Sequence, residues 1–251
     1  MPNQWSKPLS AAADAGWLML AAGAEVARVE DTMVRLAAAY GVAAEAVALP
    51  TLILLSGQEG TLLRRVRARR TNLAVVELVN QWSREAASGR LSVEALQARL
   101  DGVHDLRRHP AAVEVAAAGV AAAALALLFG AGPSTLPWAW TAGALAQAVR
   151  MGMRATAAGG ALGDMLAAFA AVLPALAAAQ WPGTHPGLVV VGGIMVLVPG
   201  ILLTTAVRDG MNGDLLSSAG RLLEAALVAG SVAGGASLAL YLYVHAGGRW
   251  P

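Results

Sequence analysis

At 251 residues, 57% hydrophobic and 14% charged, with a mean hydropathy of +0.58, the chain is too apolar for an ordinary soluble domain, whose charged share is about 25%. A formal net charge of +2 gives no argument for a nucleic-acid partner, and the lack of cysteine excludes disulfides and thiol chemistry without fixing a compartment. Charge is also unevenly placed: residues 1–109 hold 13 Lys+Arg and 11 Asp+Glu, and the remaining 142 residues hold five of each. A polar amino-terminal domain, 1–109, therefore precedes an apolar domain, 110–251.

Lys7 followed by apolar residues mimics a secretion signal, but Asp14 interrupts the run and a helical pattern continues past it. Leu18, Val26, Val29, Met33 and Leu36 recur at spacings near three and four, which predicts one amphipathic helix ending at Gly41. Val47–Leu55, broken by Pro50, and Thr61–Arg69 flank Gly57 and Gly60 and predict a β-hairpin. Asn72 to Ser88 reads as a helix stopped at Gly89, and Ser92 as the cap of another running to about Leu100. The first domain is thus a small α+β unit. Its arginines 64, 65, 67, 69 and 70 read as a charge-protected strand edge rather than a phosphate or lipid-headgroup site. Glu25, Glu30 and Asp31 fall on different helix faces, so they predict a solvated surface rather than an acid/base set. The histidines at 104, 109, 185 and 245 lack metal-ligand spacing, and no metal or cofactor is expected.

From Pro110 onward five apolar segments approach the roughly 20 residues that cross a bilayer: 111–130, 136–151, 160–181, 187–207 and 222–245. The fold class expected is therefore mainly α, a small cytoplasmic α+β domain followed by a five-helix transmembrane bundle. Arg107 and Arg108, Arg150 and Arg154, and Arg208 and Arg221 fall in every second connection, while the other two loops contain no Lys or Arg. The positive-inside rule makes the basic connections cytoplasmic, with the amino terminus inside and the carboxyl end, carrying Arg249, outside. Trp138, Trp140, Trp181, Tyr241, Tyr243 and Trp250 fall near the outer interface on this topology.

Charges inside a bilayer cost about 2.5–3.5 kcal/mol each on insertion scales, so each needs a reason. Asp164 follows Gly159, Gly160 and Gly163, and Glu114, Gln147 and Glu224 also lie in spans. Most sit toward the cytoplasmic side, where reaching the interface is an alternative to function. Pro174 and Pro199 predict kinks or half-helix breaks. Gly230 and Gly234 form a GxxxG pattern suited to close helix packing. The stretch Ile194–Glu224 concentrates these features. A Pro199-Gly200 pair breaks an apolar run, and Arg208, Asp209, Asn212 and Asp214 precede a second run after Arg221. Two readings stand for this clasp: a substrate or ion pathway, and a loop that caps and packs two helices.

Three blocks resemble the threonine/serine exporter family. Gly23, Glu25, Glu30, Gly41 and Pro50-Thr51 look like its amino-terminal signature; LLRRVRARRTNLAVVELVNQWSREAASGRLSVEALQARL is similar to its next block. LVPGILLTTAVRDGMNGDLLSSAGRLLEA looks like its membrane hallmark, with Pro199, Gly200, Asp209, Gly213, Asp214 and Arg221 in matching places. The resemblance covers nearly the whole chain. It implies a polytopic inner-membrane exporter of small polar metabolites, with Asp164, Pro199, Gly200, Asp209, Asn212, Asp214 and Arg221 as pathway candidates. Full-length members carry a second five-span module. Here the chain looks like the larger subunit of the split type, whose partner is a short five-span membrane chain. Split relatives are regarded as exporters of dicarboxylates such as succinate, and fused ones export threonine and serine.

A secondary transporter is the leading class, since no GxxxxGK[ST] nucleotide loop is present. An intramembrane aspartyl hydrolase would need two facing aspartates, and GALGD and GMNGD only approach the GxGD pattern. A membrane-tethered sensor or enzyme domain is the third class, but residues 1–109 lack a nucleophile–histidine–carboxylate set.

Overall fold

The computed structural model describes residues 6–67, 71–103, 109–154, 156, 159–248 and 250. Arg69, Arg70, His104, Arg107, Arg108 and Arg249, used in the sequence reading, lie outside the described residues. The described residues form mainly helices with one small sheet. They divide into two compact units: Met1–Arg107 with Ile201–Leu222, and Arg108–Gly200 with Leu223–Pro251.

In the first unit, α1 (Lys7–Ala21) and α2 (Val26–Ala39) replace the single helix expected from the apolar spacing. The break has a local cause. Gly23 takes φ +86°, a conformation that a Cβ disfavours, and the Gly23 and Ala24 N–H groups return to the Leu20 and Met19 carbonyls. The apolar period survives the break because Met19, Val26, Val29, Met33 and Leu36 all enter one core.

The expected hairpin is a three-stranded antiparallel meander, β1 (Ala44–Leu49), β2 (Leu52–Gly57) and β3 (Gly60–Arg65), in the order β1-β2-β3. The run 47–55 is not one strand. Leu49 pairs with Leu52, so Pro50-Thr51 is a two-residue turn between two strands. Proline fixes φ at that turn and has no N–H to leave unpaired. Ile53 and Leu55 bury one face of the central strand against α1. Helices α3 (Leu73–Ala87) and α4 (Val93–Gly102) close the layer. Each is capped as its sequence suggests: the Asn72 side chain accepts from Val75 N–H and Ser92 from Ala95 N–H. Arg64 is no bare edge charge. It pairs with Asp14 of α1 at 2.8 Å, while Arg65 and Arg67 are exposed.

Two later elements complete the unit. Helix α9 (Gly200–Met211) and the first residues of α10 (Leu215–His245) form a hairpin turned at Gly213, φ +92°.

The second unit holds α5 (Ala111–Leu128), α6 (Leu136–Arg154), α7 (Ala161–Ala178), α8 (Pro186–Met195) and the remainder of α10. Among the described residues three helices, α5, α7 and α10, are long and apolar enough to cross a membrane; a fourth span is formed if the broken pair α8–α9 counts as one. Helix α6 coincides with the expected second span and is long enough, but Gln147, Arg150 and Arg154 in its last turns lower its apolarity.

These helices meet through small side chains. A Cβ on Gly143 would lie 2.4 Å from the Ala122 Cβ, one on Gly192 would lie 2.5 Å from the Ala122 carbonyl oxygen, and one on Gly119 would lie 2.7 Å from the Trp140 ring. Large apolar side chains such as Val120, Leu127 and Leu173 point outward and are exposed. That inversion suits a helix set surrounded by lipid, where close backbone approach replaces the hydrophobic effect as the source of packing energy. The GxxxG expectation is corrected: Gly230 and Gly234 face open space. The contact glycine is Gly235, whose Cβ would lie 2.0 Å from the Met165 carbonyl oxygen.

A backbone oxygen cannot move aside as a flexible side chain can. Gly235→Ala is therefore expected to destabilise the full-length protein by about 1–3 kcal/mol through overpacking. Gly230→Ala and Gly234→Ala should leave it unchanged or slightly more stable. Thermal unfolding of the three variants in detergent checks the contrast.

Candidate functional site

The clasp is built on the α9–α10 hairpin. Helix α8 stops at Met195, and Val196–Pro199 form an irregular link before α9 begins at Gly200. Pro199 has no N–H for a continuing helix, so the break falls where the proline places it. At the other end of α9, the Gly213 N–H bonds to the Gly210 carbonyl and the Asp214 N–H to the Asp209 carbonyl. These are the two closures of a glycine-terminated helix. Asp214 then stands immediately before α10, where its carbonyl accepts the first helical bond from Ser218 N–H. Asn212 at the tip is exposed.

Asp209 points inward from α9 and is fully buried. Its Oδ1 accepts from the Val26 N–H at 3.1 Å, the first turn of α2. Its Oδ2 lies 2.8 Å from Nε of Arg221, itself 2% exposed, and an Arg221 terminal nitrogen donates to the Ala24 carbonyl at 2.8 Å. One carboxylate and one guanidinium thus satisfy both sides of the α1–α2 link. A negative charge at a helix N-terminus also meets the positive end of the backbone dipole. Glu25 occupies the N-cap position of α2 but makes no capping bond. Its carboxylate turns instead to Arg208 of α9 and lies 3.7 Å from Arg28.

Glu30, one turn on, accepts from the Ala48 N–H of β1 at 2.7 Å. Burial pushes its carboxyl above the usual range; the Ala48 N–H draws it down and the nearby Asp214 carboxylate raises it again, leaving it raised overall. Glu25 and Glu30 are therefore bonded and partly buried, which corrects the solvated-face expectation. Asp31 alone fits that expectation, being exposed and paired with Arg35. Pro50 packs 3.7 Å from the position a Cβ on Gly220 of α10 would take, and the Thr51 carbonyl accepts from Val66 N–H. Gly23 and Gly41 end α1 and α2. Apart from Gly41, which follows the far end of α2, the amino-terminal motif residues lie at the α1–α2 link, in the first turns of α2 or at the β1–β2 turn, and the link and the turn both meet the hairpin.

In the second unit Asp164, in the first turn of α7, lies 2.8 Å from Nε of Arg150 on α6 and is 7% exposed. The sequence reading used Arg150 only for topology and missed this pairing. Gly160 and Gly163 precede Asp164, and a Cβ on Gly163 would lie 3.1 Å from Met153 of α6. Pro174 sits buried inside α7, which continues past it. Among the described residues no group of His, Cys, Asp and Glu is arranged to hold a metal ion. Asp164 and Asp209 each pair with an arginine of their own, an arrangement that suits ion-pair packing better than aspartyl hydrolysis.

Residues 10–243 match the model of a protein family described as "Putative threonine/serine exporter". No curated protein and no solved structure matches the chain.

Removing one member of a buried ion pair leaves the other charged and unsatisfied, at a cost of about 3–5 kcal/mol. Arg221→Gln is expected to lower the thermal midpoint of the full-length protein more than Arg208→Gln, whose side chain is 62% exposed. Glu30 gives a pH signature. Because its folded carboxyl is raised above the unfolded value of 4.5, the stability it contributes is full below 4.5 and is lost as pH rises through the folded value. Glu30→Gln keeps an acceptor for Ala48 and removes that loss. The variant should therefore gain on the native protein as pH rises from below 4.5 to neutrality, measured by thermal unfolding in detergent across that range.

Proposed function

The chain belongs to the threonine/serine exporter family, and from that membership we propose that it is a subunit of a membrane exporter for small polar metabolites, driven by an ion gradient. The observation that carries this reading is the match over residues 10–243, which spans both units and joins the amino-terminal domain and the apolar helices in one family. Helices α5, α7 and α10 add the membrane itself, being long, apolar and covered with outward-facing aliphatic side chains.

The substrate class follows the family's description, threonine and serine, with small dicarboxylates such as succinate as the second candidate. Both are small, charged and unable to cross a bilayer unaided. A transporter needs polar groups within its helix set and backbone freed from helical bonding. The Arg150–Asp164 pair supports the first requirement, and the break at Val196–Pro199 ahead of Gly200 the second. These are the residues we assign to the substrate path. We place the protein in the bacterial inner membrane with residues 1–109 in the cytoplasm and the carboxyl end outside. The alternation of arginines supports that orientation.

We further propose that the active exporter contains a second five-span module of opposite orientation, supplied by a short partner chain. An odd number of spans places a following copy upside down, the arrangement of inverted-repeat transporters. The test uses cells lacking their own exporters of these metabolites. This chain, its candidate short partner and both together are expressed, and efflux of threonine, serine and succinate is followed. Efflux is expected only with both, and Asp164→Asn should reduce it at least tenfold at equal membrane level. Undiminished efflux from this chain alone would rule out the two-chain reading.

A further inference from the structure

The role of the amino-terminal domain follows from where the late hairpin docks. Helices α9 and α10 lie far along the chain, yet Asp209 caps α2, Arg221 holds the Ala24 carbonyl, Arg208 meets Glu25 and Gly220 backs onto Pro50. Four contacts at separate points fix the orientation of one body on another; a single flexible tether would need none. The central pair is fully buried. Burying two charges is unfavourable unless geometry and hydrogen bonding compensate, and its best-attested use is to impose one arrangement among several. A solvent-exposed pair would instead form and break at little cost.

We propose that Asp209 and Arg221 are positioning residues that lock the amino-terminal domain onto the α9–α10 hairpin, so that the two move as a single body through the transport cycle. The carboxylate of Asp209 does not touch substrate. It holds α2, and through α2 the β1–β2 turn, against the segment that follows the proline-broken link. The amino-terminal domain is then part of the moving machinery rather than an independent sensor on a leash. This rests on the exporter reading above.

The chain has no cysteine of its own, so a cross-link can be placed without background. Pro50→Cys and Gly220→Cys, introduced together in the full-length chain, put two thiols across the joint at a pair already in contact. A short thiol-specific cross-linker is applied in membranes containing the partner chain, and amino-acid efflux is compared before and after, at equal membrane level. The locked body predicts a high cross-linking yield with efflux retained. Adding Asp209→Asn or Arg221→Gln should lower the yield and the maximal efflux rate severalfold, leave the half-saturating substrate concentration unchanged, and open the chain to trypsin near Arg208. Closing the cross-link in the Asp209→Asn background should restore at least half of the lost rate.

Loss of efflux on cross-linking the otherwise native joint would overturn the proposal, because the joint would then have to open in each cycle. So would a cross-linked Asp209→Asn protein that stays inactive, since its carboxylate would then act on substrate or ion. If the native chain and partner move none of the metabolites, the exporter reading fails instead. The cross-linking yields and trypsin pattern still report whether Asp209 and Arg221 hold the joint.

Discussion

A carboxylate and a guanidinium with almost no contact with water, Asp209 and Arg221, set the terms for the amino-terminal half of this protein. The reason lies in α2. A helix N-terminus leaves N–H groups without helical partners, and a residue at the N-cap usually supplies an acceptor. Glu25 occupies that place and points elsewhere, to Arg208. The acceptor for Val26 arrives from α9, 183 residues away. Residues 1–107 alone therefore lack one of their own helix caps. The segment that supplies it, 201–222, belongs to the same compact unit although most of the apolar helices precede it in the chain.

The apolar unit solves a different problem. Lipid is as apolar as leucine, so burying leucine inside gains little over leaving it outside. Its interior is accordingly mainly alanine and glycine, with a few larger aliphatics such as Val172, Val189 and Leu197: Ala142, Ala146, Ala167, Ala171 and Ala175 are fully buried, while Leu127, Leu128 and Leu173 are exposed. What holds it is distance. Gly143 and Gly192 bring α6 and α8 against α5 more closely than any side chain beyond hydrogen would allow. Alanine is thus the main packing material of this unit.

Much of this was legible in the sequence where one residue acts locally. Ser92 and Asn72 cap helices, Pro199 breaks one, and the uneven charge separates polar from apolar stretches. Errors arose where local signals were merged or where partners lie far apart. Gly23 was not read as a helix break because apolar residues on both sides of it recur at helical spacing and enter one core. Pro50 looked like an interruption in a strand, although a two-residue turn gives the same spacing. Glu25 and Glu30 read as solvated because their partners, Arg208 and Ala48, stand on other elements. Gly234 and Gly235 are adjacent, and only the facing helix decides which of them meets Met165. The capping reading of the clasp was available from sequence; that the capped helix is α2 was not, because no pattern along the chain connects residue 209 with residue 26.

The arginines of the apolar half serve two purposes at two times. Topology is decided during insertion, when Lys and Arg near span ends resist translocation and acidic neighbours count for little. On the proposed orientation Arg150, Arg208 and Arg221 do that work during insertion, before the fold is complete. In the folded protein the same three pair with Asp164, Glu25 and Asp209. A lysine in each place would meet the first demand equally well. The second favours arginine, whose rigid, multiply donating head can hold Asp209 and the Ala24 carbonyl together from one buried position. Charge placement that reads as a simple orientation signal is therefore also the means by which distant elements find one another, and the few charges in this half of the chain carry a structural load out of proportion to their number.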